Sequence, residues 1–196
     1  MKKRTFISIS LVICMTFAIT ACGKISNKES GLKHTISVDY PISYDIDEVI
    51  NASDYIVSGH FSKFSSSWNM ARNPENIKKE ATNMNIEGKL YEFVIKKEFK
   101  GDLNKKDTIL VNLSYKHNGI VDELFIEPTL NEEVSLFLKY DKDFDCYYPA
   151  LEPFQFSIVN EQLKVKSNNK NVKTNFEKKE KKIKLDDLGA LINKKN

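Results

Sequence analysis

Cysteine is scarce in this chain, and where it falls excludes a disulfide framework. Of the three cysteines, Cys14 and Cys22 lie in the opening segment, and Cys146 is left for the rest of the chain. The folded part must therefore stand on its hydrophobic core. Glycine is equally sparse, seven in 196 residues, with no G-x-G-x-x-G and no G-x-x-x-x-G-K-[ST], which removes a phosphate-cradling nucleotide loop. The three histidines, His34, His60 and His117, are scattered, without the spacing that gathers zinc ligands. A G-x-S-x-G nucleophile motif is missing as well. These absences leave nothing that marks an enzyme, and no cofactor is expected.

What the chain does have stands at its start. Met1-Lys2-Lys3-Arg4 is a short basic segment, Thr5 to Thr20 is an apolar run, and Ala21-Cys22-Gly23 closes it. A basic start, an apolar stretch, a small residue and then cysteine make the layout of a lipoprotein signal peptide, cut before the cysteine that receives the lipid. As a helix the run would reach roughly 24 Å, short of the ~30 Å hydrocarbon core that a spanning helix must cross. The expectation is a signal peptide over 1–21 and a lipidated (palmitate-bearing) Cys22. The mature chain would then be lipid-anchored on the extracytoplasmic face of a bacterial cell membrane. A diacylglyceryl group plus an amide-linked acyl chain is enough for stable anchoring.

The charge follows the same division. The chain carries 30 basic and 27 acidic residues, and its formal +3 equals the contribution of Lys2, Lys3 and Arg4 in the signal. The remainder is balanced, which gives no reason to expect nucleic acid as a partner. Within it, lysines crowd the stretch from Lys164 to Asn196, against Glu177, Glu180, Asp186 and Asp187, and the preceding part is acidic. The basic stretch reads as a solvated, lysine-rich tail.

Along the chain, residues 22–40 are polar and without period, a tether. Asp45 with Glu48 three positions on has the form of a capping box, and Ile46, Val49 and Ile50 give the following helix one apolar face. Period-two segments then predict strands over 55–61, 89–99, 107–115, 120–126, 133–140, 146–148, 155–159 and 162–166, with turns at Asn118-Gly119 and Asn160-Glu161. The region Ser62–Glu87 reads as a long polar insertion holding Phe64, Trp68 and Met70. A small C-terminal helix burying Leu188, Leu191 and Ile192 starts near Asp186. The fold class is mainly β with minor α, an antiparallel OB-like barrel or, alternatively, a small β-sandwich. The domain covers 41–166, and 167–196 is the basic tail with its short helix.

The order of features resembles a known group. It comprises Ser53-Asp54-Tyr55-Ile56-Val57-Ser58-Gly59, then Tyr91-Glu92-Phe93-Val94-Ile95 leading to Phe99-Lys100-Gly101, then Leu130-Asn131-Glu132-Glu133-Val134-Ser135-Leu136-Phe137-Leu138. It is similar to small secreted or lipid-anchored domains of low-GC Gram-positive bacteria and, over about 55–165, to the netrin-like OB-type barrel of metalloproteinase inhibitors. The resemblance implies barrel-core roles for Val57, Phe93, Val111 and Leu136. It does not carry inhibition over, because those inhibitors use a free amino-terminal cysteine held by disulfides.

Two segments are candidate sites. Trp68, Phe64 and Met70 among Ser and Asn have the composition of an exposed recognition loop for a protein or peptide. Asp141, Asp143, Asp145 and Glu152 fall at positions 1, 3, 5 and 12 of a calcium-loop template, with Cys146 where the template requires glycine; a solvated acidic turn accounts for the same residues. The functional expectation is a membrane-anchored, non-enzymatic binding module. The alternatives are a cell-envelope enzyme or accessory subunit, and a protective, inhibitor-like lipoprotein.

Overall fold

A computed structural model of the chain describes residues 41–178 and 183–193. The signal 1–21, Cys22 and the tether 22–40 lie outside the described residues. Helix α1, Ile46–Ala52, begins where Asp45 in extended conformation accepts the Asp47 N–H on its side chain, satisfying a donor that the first helical turn leaves free. The expected reciprocal bond from Glu48 is replaced. The Asp45 N–H donates to Ser43 Oγ at 3.0 Å, and Ser43 in turn donates to Glu48 Oε2 at 2.6 Å. Val49 and Ile50 are buried.

Ten strands follow: β1 Tyr55–Asn69, β2 Arg72–Asn73, β3 Asn76–Glu80, β4 Ile86–Lys100, β5 Thr108–His117, β6 Ile120–Val121, β7 Glu133–Asp141, β8 Cys146–Pro149, β9 Gln155–Val159 and β10 Gln162–Lys166. The molecule is mainly β, as its period-two segments require. The main sheet runs β1-β4-β5-β8-β7-β9-β10, with β6 on β5, and β1 pairs with β7 as well as with β4. The β5–β8 contact is parallel and the other ladders are antiparallel, so the sheet is mixed. Asn118-Gly119 and Asn160-Glu161 all have positive φ, the conformation that tight hairpin turns demand.

Strand β1 serves two ladders because it coils. Its register against β4 shifts at Ser58/Gly59, and a Cβ on Gly59 would stand 1.9 Å from the Val94 carbonyl oxygen. Only glycine allows that approach. Alternate residues then bury into two layers. Val57, Phe61, Phe93, Val111, Leu136 and Leu138 belong to one cluster. Ile56 and Phe137, on the opposite faces of the same strands, join Val49, Ile50, Phe156, Leu188 and Ile192 in the other. This two-sided burial is why Val134 to Leu138 read as a continuous run. The four positions that the resemblance assigned to the core are all fully buried.

Three expectations need correction. Ser62–Glu87 is not a loop: β1 runs on to Asn69, β4 begins at Ile86, and the span between them contains the β2–β3 hairpin. Serines at 62 and 65–67 hid a strand whose residues Lys63 to Ser67 are exposed on both faces. The fourth strand shrinks to Ile120–Val121. The C-terminal stretch is not a free tail either. Helix α2, Lys170–Lys178, buries Val172, and helix α3, Leu185–Asn193, inserts Leu188 and Ile192 into the second cluster. Ile183 and Leu185, at the start of α3, reach the open edge of β10, where the Leu163 N–H donates to the Ile183 carbonyl at 2.9 Å and the Leu185 N–H to the Glu161 carbonyl at 2.8 Å.

Candidate functional site

At the far end of β1 the chain turns around Asn69. Its Oδ1 accepts the N–H groups of Ala71 and Ile86, both at 3.0 Å, and its Nδ2 donates to the Met84 carbonyl at 3.1 Å. One short side chain thereby ties the base of the β2–β3 hairpin to the start of β4. The tie brings Trp68 and Met70 to face the turn between β7 and β8. Together with Asn112 of β5 and Asp141, Phe144, Cys146 and Tyr148, they line a cavity of about 300 Å³.

Its walls are held by specific contacts. The Trp68 Nε1–H donates to Asn112 Oδ1 at 2.9 Å, and Asn112 Nδ2 donates to Met70 Sδ at 3.4 Å. Asn112 is otherwise buried, so Trp68 supplies the partner that a buried amide needs. Gly88 lies opposite Trp68 in the β1–β4 ladder. The Trp68 and Phe144 rings lie 4.9 Å apart at 58°. Above them sits the Arg72 guanidinium, its Cζ 4.7 Å from the first ring centroid and 4.5 Å from the second. Arg72 Nε is buried without a hydrogen-bond partner, so the two rings are the main compensation for this part of its desolvation.

Acidic side chains stand in and beside the cavity wall. Asp145 has Lys106 at 3.8 Å and the Tyr140 hydroxyl at 2.8 Å, but among the described residues neither Asp141 nor Asp143 has a cation within ion-pair distance. Burial, then Asp141 and Asp145, push the Cys146 thiol up to about 11. Burial, then Asp141 and Asp54, raise the Tyr148 hydroxyl above its usual range. Cys146 is a protonated, buried thiol at neutral pH, the opposite of an activated nucleophile.

The sequence candidates are thus partly united. Trp68, Met70 and Asp141 share the cavity. Phe64 does not: it is half-exposed and packs edge-on against Tyr91 at 5.5 Å, within a cluster where Tyr91 donates to Glu127 and Lys89 pairs with Glu127 at 2.7 Å. The calcium template is not assembled. Asp141 Oδ1 accepts the Asp143 N–H at 2.9 Å, Asp145 turns to Tyr140 and Lys106, and Glu152 faces a separate cavity. Among the described residues no three His, Cys, Asp or Glu side chains are grouped to hold a metal ion. Arg72, Asn112, Phe144 and Tyr148 were missed: they come from β2, β5, the β7–β8 turn and β8, and no local pattern joins them.

The second cavity is lined by Ser114, Asp122, Phe125, Glu152 and Phe154 with other apolar side chains, and offers only about 20 Å³, room for about one water molecule. Ser114 Oγ and Glu152 Oε1 are buried there without partners. Burial raises the Glu152 carboxyl to about 7, against a lowering hydrogen bond from Ser167, with Asp122 raising it further. No protein-family model matches the chain, and no curated protein matches it.

Proposed function

We propose that the chain is a lipid-anchored, extracytoplasmic binding module, an OB-like barrel whose Trp68 cavity receives part of a protein or peptide partner. The pairings support the barrel: β1, β4, β5, β8 and β7 lead back to β1, and the β5–β8 pairing is parallel. In barrels of the OB type, ligands sit against the middle strands, between the loop after the first strand and the loop joining the last two. With the five ring strands taken in chain order, those loops are the β1–β4 connection and the β7–β8 turn, the two segments that frame the Trp68 cavity. Anchoring rests on the layout of residues 1–22.

The observation that carries the binding reading is the lining of that cavity. Trp68, Met70, Phe144 and Tyr148 give it apolar walls, and Asn112 and Asp141 give it a few convergent polar groups, the composition of a recognition pocket. The protonated thiol of Cys146 favours binding over turnover.

Two measurements test the proposal. A photo-reactive benzoylphenylalanine at Phe144 of the membrane-bound chain should capture one reproducible partner. That partner should be missed from Val159 on the β9–β10 hairpin and lost on Trp68→Ala. Identical captures from both positions would remove the cavity as the site. Cys22→Ser should move the chain from the membrane to the soluble fraction and abolish labelling by an alkyne fatty acid; a labelled Cys22→Ser chain would refute the anchor.

A further inference from the structure

The Trp68–Phe144 pair already holds a cation, and that cation belongs to the chain itself. Arg72 stands on a two-residue strand at the base of an exposed hairpin, and the residues from Pro74 to Glu80 are all exposed. Its guanidinium lies within 5 Å of both ring centroids and leaves Nε buried without a partner. The carboxylate that lines the same cavity, Asp141, does not pair with Arg72; among the described residues it has no cationic partner. The site therefore combines aromatic faces that attract a guanidinium with a carboxylate in the same wall that has no cationic partner among the described residues, and its internal cation satisfies only the first.

We infer that the cavity is a receptor for an arginine side chain of a peptide partner, with Arg72 as the displaceable internal occupant. This rests on the cavity being the binding site, and it names the chemistry that the site selects. An incoming guanidinium would take the ring faces from Arg72 and donate to Asp141 and to the amide oxygen of Asn112. An anionic ligand is disfavoured by the Asp141 carboxylate in the cavity wall. The cavity volume of about 300 Å³ falls at the lower end of small-ligand sites, which suits one side chain and not a folded surface.

Trp68 is the only tryptophan, so its fluorescence reads the site directly. The probes are N-acetyl-arginine methylamide and its neutral isostere N-acetyl-citrulline methylamide, titrated into the wild-type chain, Arg72→Ala, Arg72→Gln and Arg72→Ala/Asp141→Asn. The arginine probe should give a saturable change in Arg72→Ala at a concentration at least about tenfold below that needed in wild type. The citrulline probe should be at least about tenfold weaker, and Asp141→Asn should remove most of that difference. Arg72→Gln guards against a folding defect specific to the alanine variant. Equal midpoints for the two probes would overturn the inference and leave the cavity as a neutral binding site. Silence of both probes in both Arg72 variants would overturn it too, and the crosslink from Phe144 then decides whether the binding reading falls with it.

Discussion

An alanine at Gly88 would place its Cβ 2.4 Å from Asn112 Oδ1 and 2.7 Å from Met70 Sδ, against the two groups that hold Trp68 in place. Met70 is flexible and can retreat; the buried amide of Asn112 cannot do so without giving up the indole N–H. Gly88→Ala should therefore cost about 1–3 kcal/mol in a denaturant melt and shift Trp68 emission to the red, whereas a surface substitution would leave the emission unmoved. Glu152 works through protons instead. Its folded-state carboxyl titrates near 7, above its unfolded value, so the native state holds a proton that the unfolded chain has released. The stability it confers is fully present below the unfolded value and is lost as pH rises through about 7. Within that window the slope approaches about 1.4 kcal/mol per pH unit. Glu152→Gln should flatten the melting profile between about pH 4.5 and 7 and raise stability at pH 8; an unchanged profile would mean that the carboxyl ionises freely.

Among the elements, helix α3 shows what pattern alone conveys. Leu188, Leu191 and Ile192 are spaced for one face, and the structure buries Leu188 and Ile192 against Ile56, Phe137 and Phe156. Leu188→Ala should cost about 2–5 kcal/mol, measured by urea unfolding of the chain; a cost under about 0.5 kcal/mol, the scale of an ordinary surface substitution, would mean that the helix is an appendage. The strands over 133–140, 155–159 and 162–166 were legible because apolar runs and Asn-led turns agree there. The β1 extension was not, since Lys63 to Ser67 are exposed on both faces and serine-rich, which leaves no contrast to read. Helix α2 was not legible for another reason: lysine and asparagine swamp its two apolar anchors, Val172 and Phe176. The site was half legible. Trp68 and Met70 were chosen for exposure, yet they matter because Asn69 folds the hairpin base back, and Phe144 and Tyr148 join them across a gap of more than seventy residues that no local pattern spans. The calcium template failed because an acidic spacing says nothing of where the twelfth residue goes, and Glu152 pairs its backbone with Pro41 and Ser43.

At the scale of the whole molecule, the ladder between β1 and β7 and the residues Ile183 to Leu185 beside β10 cover edges of the main sheet. The bridge of Gln162 to Lys184 and the bonds of Leu163 and Leu185 occupy backbone groups that a terminal strand would otherwise present to any neighbour. Under the proposed anchoring this has a particular weight. Tethering confines every copy to a thin layer, where encounters between identical exposed strands are far more frequent than at the same abundance in free solution, and an unpaired β edge is a template for such encounters. Cutting the chain before Ile183 would strip that cover. Light scattering of the truncated protein should then show growth of strand-linked oligomers with rising concentration, beyond the lower melting point that the loss of Leu188 and Ile192 brings. In that sense the start of the last helix is a guard on sociability: it covers backbone groups through which identical copies would otherwise join.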